Sequence, residues 1–244
     1  MAESSKARLR RSVNRLLHPL GLHLLRRDRA FEMEDVLARA AKQGAPVRTV
    51  IDVGASDGSW SLLAKNYFQE ARLLLFEPLL ERREALEALR QRLGFDYVMA
   101  AAGARCGEVT LAVDPGLDGS RVVTAGAVGG RAVPVDTVDT AVAARRLLGP
   151  FCLKLDTHGY ELPVLEGAAA VMAQTSLLII EAYNFRLGPE ALRFPELCAW
   201  LEPRGFRCCD LADPMRRPKD GVLWQVDLVF APATSPVFAS DRYE

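Results

Sequence analysis

From residue 48 onward, short apolar runs alternate with stretches in which apolar residues recur at helical spacing. Val50, Ile51 and Val53 enclose Asp52 in a buried-strand pattern over 48–53. That run ends in Gly54-Ala55-Ser56-Asp57-Gly58 and feeds a helical pattern near 59–68, with Trp60, Leu62, Leu63 and Ala64. A second strand over 72–78 follows, then a helix striped by Leu86, Leu89 and Leu93, and a third strand over 97–102. The texture changes over 103–137, where glycines, valines and threonines predict small extra strands and a flexible inserted loop. Alternation then resumes with a strand at 151–156, a helix at 161–172, a strand at 177–181 and a helix at 190–202 carrying Leu197 and Leu201. Strands at 206–211 and 223–231 close the pattern, joined by a Pro- and charge-rich loop from Asp213 to Asp220. Without a full helix between them, they read as an antiparallel pair at the end of a mostly parallel sheet.

This order predicts an open α/β sheet covered by helices, over 46–232. Residues 1–45 form a helical N-terminal appendage and 233–244 a flexible tail. Within the appendage, Leu9, Val13, Leu16, Leu17 and Leu20 share one face of a helix from about residue 6 to 17, and a second amphipathic helix runs over 31–42. Residues 1–30 carry eight Lys/Arg against Glu3 and Asp28, so the first helix either packs on the domain or makes peripheral contact with an anionic membrane or a partner. His18, Pro19, Gly21 and His23 break its apolar stretch, which argues against a secretion signal. The chain of 244 residues has a formal net charge of zero, which gives nucleic acid no broad basic face. Cysteines 106, 152, 198, 208 and 209 show no paired spacing, fitting reduced, buried thiols and a cytoplasmic protein. No apolar run approaches the roughly 20 residues of a transmembrane helix. Oligomeric state is not legible.

Candidate chemistry sits at the strand ends, where open α/β sheets bind ligands. The glycine pair at 54 and 58 is neither a dinucleotide fingerprint nor a phosphate loop. Its acids, Asp52 and Asp57, repel phosphates and suit a cationic or hydroxyl-rich ligand. Glu77 ends the second strand about 20 residues beyond the glycines, the spacing of an acid that accepts ribose hydroxyls. Asp156 and Glu181 end two further strands. His158 lies on the turn after Asp156, between that acid and Glu161, where carboxylates would raise its basicity.

Ile51 to Ala55, Phe76-Glu77-Pro78, Val133 to Asp139 and above all Leu153 to Ala168 resemble the FkbM-type methyltransferases, over residues of about 47 to 230. The resemblance implies a class I Rossmann-like three-layer α/β sandwich and S-adenosylmethionine as methyl donor. It implies hydroxyl acceptors, often on sugars or polyketides. Asp52 and Gly54 would then receive the methionine moiety, Glu77 the ribose, and Ala101 and Ala102 the adenine. Ser120 falls where the family often places a small polar residue near the cofactor. Ala55, Asp57, Pro78 and Asp156 complete the expected cofactor set. His158 or Asp156 would take the hydroxyl proton, and Glu181, Tyr183, Asn184 and Tyr160 would orient the acceptor. The segments 103–131 and 213–221 are expected to wall the acceptor pocket. Many relatives carry glutamate where this chain has His158, a departure that bears on metal use. Asp156 and Glu181 are the oxygen ligands on offer should a divalent ion such as Mg²⁺ take part. Two other readings stand beside this one: a nicotinamide-dependent oxidoreductase, and a non-catalytic scaffold working through its basic N-terminal helix.

Overall fold

The computed structural model describes residues 12–20, 31–188 and 191–243. Seven strands form the main sheet: β1 (Thr49–Val53), β2 (Arg72–Phe76), β3 (Asp96–Val98), β8 (Phe151–Leu155), β9 (Thr175–Tyr183), β10 (Phe206–Arg216) and β11 (Leu223–Pro232). Their order across the sheet is β10-β11-β9-β8-β1-β2-β3, and β11 alone runs against its two neighbours. β1 and β8 are buried along their whole length, which is why they read as near-continuous apolar runs.

Helices cover both faces. On one side α1 (Met33–Lys42), α2 (Ser59–Tyr67) and α3 (Arg83–Leu93) bury Val36, Leu37, Ala64 and Leu86 against Val50, Leu73, Leu75 and Ile179. On the other, α4 (Val138–Ala144), α5 (Glu161–Glu166), α6 (Ala169–Met172) and α7 (Phe194–Leu201) pack on Ile51, Leu74, Leu153 and Leu178. The outcome is the expected three-layer α/β sandwich. Residues 12–17 are also helical, with Leu16 and Leu20 largely exposed. The rest of the first expected helix lies outside the described residues. No helix among the described residues is long and apolar enough to cross a membrane.

Several expectations are corrected. The strand predicted over 97–102 breaks at Met99 and Ala100: β3 stays at the edge of the main sheet, while β4 (Ala101–Ala102) starts a second one. That sheet, β4-β7-β5-β6, is built by the insert from β5 (Gly107–Ala112), β6 (Arg121–Val123) and β7 (Arg131–Asp136), around Leu79, Leu111, Val133 and Val135. The helix expected over 161–172 is two helices. A Cβ at Gly167 would lie 2.0 Å from the Gly103 carbonyl oxygen, so the chain must bend there. Asp139 then supplies the second helix with a remote cap, its carboxylate accepting from the N–H groups of Ala170 (2.8 Å) and Val171 (3.0 Å). Part of the Val133–Asp139 signature is thus structural. Among the cysteines only Cys152 is fully buried. Cys208 and Cys209, expected inside, are exposed on the edge strand β10, and all five thiols are free.

Gly54 has φ +79, and a Cβ there would sit 2.0 Å from the carbonyl oxygen of Asp156. It allows the close approach of two backbones, β1's turn against β8's end. Gly54→Ala combines a left-handed backbone with that overlap. A stability loss of about 2–5 kcal/mol is expected, to be read from urea unfolding; an unchanged midpoint would contradict it.

Candidate functional site

Parallel alignment of β2, β1, β8 and β9 brings their carboxyl ends together. The register pairs Asp52 with Lys154, so these two charges meet on one face of the sheet inside the core. Lys154 Nζ stands 3.6 Å from Asp52 Oδ1 and 3.0 Å from Asp156 Oδ2, with the Trp60 ring centroid at 5.6 Å. Burial would lower the lysine's pKa, but the two carboxylates hold it above its ordinary value. Asp52, completely buried, is raised by that burial even though Lys154 and the Ser61 hydroxyl (2.7 Å) favour its charge. Burial also works to raise Asp156, yet Lys154 and His158 outweigh it, and the net direction is down. Lys154 thus keeps Asp156 ionised at the mouth of the sheet.

Beyond Asp156, the turn carries His158 at φ 55, in the left-handed region that histidine tolerates better than most residues. Glu161 closes the turn by accepting from Gly159 N–H (2.9 Å) and Thr157 Oγ1 (3.0 Å). The imidazole lies between two acids, Nδ1 3.6 Å from Asp156 Oδ1 and Nε2 3.8 Å from Glu181 Oε2. Burial lowers its pKa against the pull of Asp156, leaving a neutral ring at neutral pH. Glu181 is pushed up to about 9, first by burial and then by the negative charge of Asp156. Tyr183 Oη donates to Glu181 Oε2 at 2.5 Å, and Gln225 Nε2 donates to Oε1. Asp227, aligned with Glu181 across β11, is raised to about 7, chiefly by burial.

Glu77 follows β2 and is 4% exposed. One of its oxygens accepts from Leu79 N–H and the other from Ser56 N–H, each at 2.8 Å. Burial nevertheless lifts it to about 7; those N–H bonds and Arg82 oppose the rise and Asp52 adds to it.

A pocket of about 220 Å³ joins these elements. Its lining combines an apolar set, Ala100, Ala101, Ala102, Leu111, Leu117 and Val122, with Glu77 and Pro78 and with Asp156, His158 and Tyr160. Of the expected site residues, Gly54 and Ser120 also line it. The structure places others elsewhere. Asp52 is sealed in the core, Ala55 is buried among α1–α3 side chains, and Asp57 binds Ser59 through its N–H (3.0 Å) and hydroxyl (2.6 Å), fastening the start of α2. Tyr183 is engaged with Glu181, and Asn184 Nδ2 donates to the Leu223 carbonyl at 3.2 Å. The insert walls the pocket through Leu111, Leu117, Asp118, Ser120 and Arg121, and Asp118 ties it to the Ser56 hydroxyl (2.8 Å) and to Arg82 (2.5 Å). No residue of 213–221 lines it; Arg217 from that loop instead lies over the Phe185 ring, 4.3 Å from its centroid. Lys154, Thr157, Arg82 and Asp227 went unassigned in the sequence. A lysine set between Leu153 and Leu155 in a fully apolar strand is the one signal that marks a buried partner for acids.

A larger cavity of about 700 Å³ lies near Pro46 and Ser176, at the amino ends of β1 and β9, between α1, β10, β11 and residues 234–238. Its lining acid, Asp210, is held by Arg39 Nε at 2.8 Å. The carboxyl-end pocket, with its convergent acids, is the candidate site.

A seven-stranded sheet with one reversed strand next to the edge, and an acid-lined cleft at its carboxyl ends, defines a class I, Rossmann-like methyltransferase fold. The family model of the methyltransferase FkbM domain matches residues 52–208, and the chain belongs to that family. Among solved structures, it is similar to the methyltransferase FkbM from Methylobacillus flagellatus KT at 16% identity and a TM-score of 0.49, over 75% of this chain. It spans only 43% of the length of that relative. It is also similar to the Burkholderia thailandensis 1,6-didemethyltoxoflavin-N1-methyltransferase, determined with its substrate and S-adenosylhomocysteine. That match has 17% identity and a TM-score of 0.46, covering 95% of this chain and 91% of that one. No curated protein matches the chain.

Proposed function

We propose that this protein is an S-adenosylmethionine-dependent O-methyltransferase acting on a hydroxyl of a small-molecule or glycan acceptor of the sugar or polyketide kind. The observation that carries this reading is a single pocket lined by an apolar set, by Glu77, and by Asp156 and His158. The residues fit the cofactor. A purine packs between Ala100–Ala102 and Leu111, Leu117 and Val122. Each Glu77 oxygen takes one backbone N–H and keeps a lone pair for a ribose hydroxyl. The ionised Asp156 faces the place of a positive sulfonium, which an anionic dinucleotide would not match.

When bound, S-adenosylmethionine supplies an electrophilic methyl carbon whose bond to sulfur breaks, the sulfur keeping the electron pair. The acceptor oxygen forms the new bond to that carbon and must lose its proton. Asp156 and His158 stand where that proton leaves, with Lys154 holding Asp156 in its charged form. Glu181, held by Tyr183 and Gln225, lies beside the imidazole, 3.8 Å from Nε2. Tyr160 is the aromatic wall for the acceptor. Catalysis is then mostly positioning in a dry cleft.

The test is incubation of the purified chain with S-adenosylmethionine and a panel of sugar and polyketide alcohols. A mass gain of one methyl on an acceptor, with S-adenosylhomocysteine formed in equal amount, supports the reading. Retention and turnover of a nicotinamide cofactor would replace it with an oxidoreductase. Liposome binding without cofactor uptake would replace it with a scaffold.

A pH dependence follows from Glu77. Ribose hydroxyls donate to its ionised form, so below about pH 7 binding must expel a proton. Affinity for S-adenosylhomocysteine is expected to climb by up to about tenfold per pH unit towards pH 7 and then level off. Arg82 and Asp52 act on this carboxyl in opposite senses. Calorimetric titrations from about pH 6 to about pH 8 read the slope. A slope that survives in Glu77→Gln would rule out this source.

A further inference from the structure

One donor atom from each of Asp156, His158 and Glu181 lies within 4.8 Å of the other two. We infer that these three side chains form a binding site for a divalent transition ion of the zinc type at the acceptor end of the pocket. The inference rests on the methyl-transfer reading above and adds to it the means by which the acceptor hydroxyl is activated.

Three features of the geometry carry it. The donor set is one imidazole nitrogen and two carboxylate oxygens, the mixture of catalytic zinc and related ions, whereas Mg²⁺ seeks oxygen alone. Bonds of about 2.0–2.1 Å put tetrahedral ligand atoms roughly 3.4 Å apart. The three donor atoms lie within 4.8 Å of one another, so they close by up to about 1.4 Å as the imidazole turns one of its nitrogens towards both acids. Finally, with Glu181 ionised, as a metal ligand must be, Asp156 Oδ1, the oxygen that faces His158, is buried and accepts no hydrogen bond, while Oδ2 is held by Lys154. A buried carboxylate oxygen left without a donor costs free energy unless a cation meets it.

The supporting groups suit ligands. Tyr183 and Gln225 each donate to Glu181, the outer-shell pattern that orients a metal-binding carboxylate. The surrounding charge also favours a cation: two carboxylates, Asp52 and Asp156, share the single Lys154 ammonium. Because Asp156 and His158 line the pocket, a further coordination position opens to the acceptor. An ion there lowers the pKa of the acceptor hydroxyl, whose proton leaves to water at the pocket mouth as the oxygen bonds to the methyl carbon. In this arrangement the imidazole lone pair goes to the ion rather than to the proton.

The experiment uses the full chain stripped with a chelator and titrated with Co²⁺ as a spectroscopic probe, with binding of S-adenosylhomocysteine measured alongside. The expected result is one equivalent of Co²⁺ with visible ligand-field absorption, displaced by Zn²⁺. A loss of affinity of about a hundredfold or more is expected in both His158→Ala and Glu181→Gln. Thermal melts establish that the variants are folded, and His158→Ala, on a surface turn, is the arm least exposed to misfolding. No Co²⁺ absorption in the wild type, or undiminished binding in His158→Ala, overturns the metal site. If S-adenosylhomocysteine still binds in that case, the methyl-transfer reading stands with His158 taking the proton itself; if it does not, both fall.

Discussion

Replacing His158 with alanine is expected to lower the rate of methyl transfer by about 10²–10⁴-fold, while leaving cofactor affinity and folding almost unchanged. The argument is positional. His158 is the one imidazole in the pocket and sits between two acids, 3.6 Å from Asp156 and 3.8 Å from Glu181. The proposed nucleoside contacts are the apolar lining residues and Glu77, so cofactor binding is not expected to depend on it. The side chain is 23% exposed, which keeps its truncation from opening a core cavity. The imidazole either accepts the proton or helps hold an ion that acidifies the hydroxyl, and the loss is expected under both. Single-turnover kinetics with S-adenosylmethionine, paired with calorimetry for S-adenosylhomocysteine, separate the two quantities. Wild-type turnover in the variant would remove His158 from the chemistry. Equal losses in turnover and cofactor affinity would make it a binding residue.

Glu77→Ala is expected to do the opposite, weakening cofactor binding by about a hundredfold. Two hydroxyl donors lose a charged acceptor, each contact being worth about 1.5 kcal/mol or more. The backbone N–H groups of Ser56 and Leu79 lose their partner as well, so the glycine turn and the entry to α3 loosen together. Glu77→Gln keeps one accepting oxygen and is expected to fall between alanine and wild type. With saturating cofactor, most of the turnover of Glu77→Ala should return, because the acid is assigned to the ribose and not to the acceptor. A variant that binds cofactor as tightly as wild type would show that the acid is structural only.

Comparison of these residues shows what a linear chain can disclose. Glu77 was legible because strand ends and the glycine turn set its distance in residues, and parallel pairing turns that spacing into a position. Asp156 and His158 were legible for the same reason. Asp52 and Asp57 were not, because the direction of a side chain at a strand end depends on its neighbours. Asp52 points to the helix side, where Ser61 and Lys154 wait, and Asp57 turns back on the N–H of Ser59. Gly54 lines the pocket as its turn suggests, but its contact with the Asp156 carbonyl, a residue far along the chain, left no local signal. Asp227 and Gln225 escaped notice since only the antiparallel register of β11 brings them beside Glu181. In the fold, helix α4 was missed because its alanine-rich turns carry no long apolar stripe. Its start is signalled only by Thr137, whose hydroxyl accepts from Thr140 N–H at 3.0 Å. The split of β3 from β4 comes from packing of the insert, which local propensity does not record.

The central claim, that the pocket is built for a sulfonium nucleoside, is tested most directly by native mass spectrometry of the purified chain. The account predicts that S-adenosylmethionine or its demethylated product travels with the wild-type protein, or loads onto it on mixing, and is lost from Glu77→Ala. A wild-type chain that stays bare after mixing, or that takes up a nicotinamide dinucleotide instead, would contradict it.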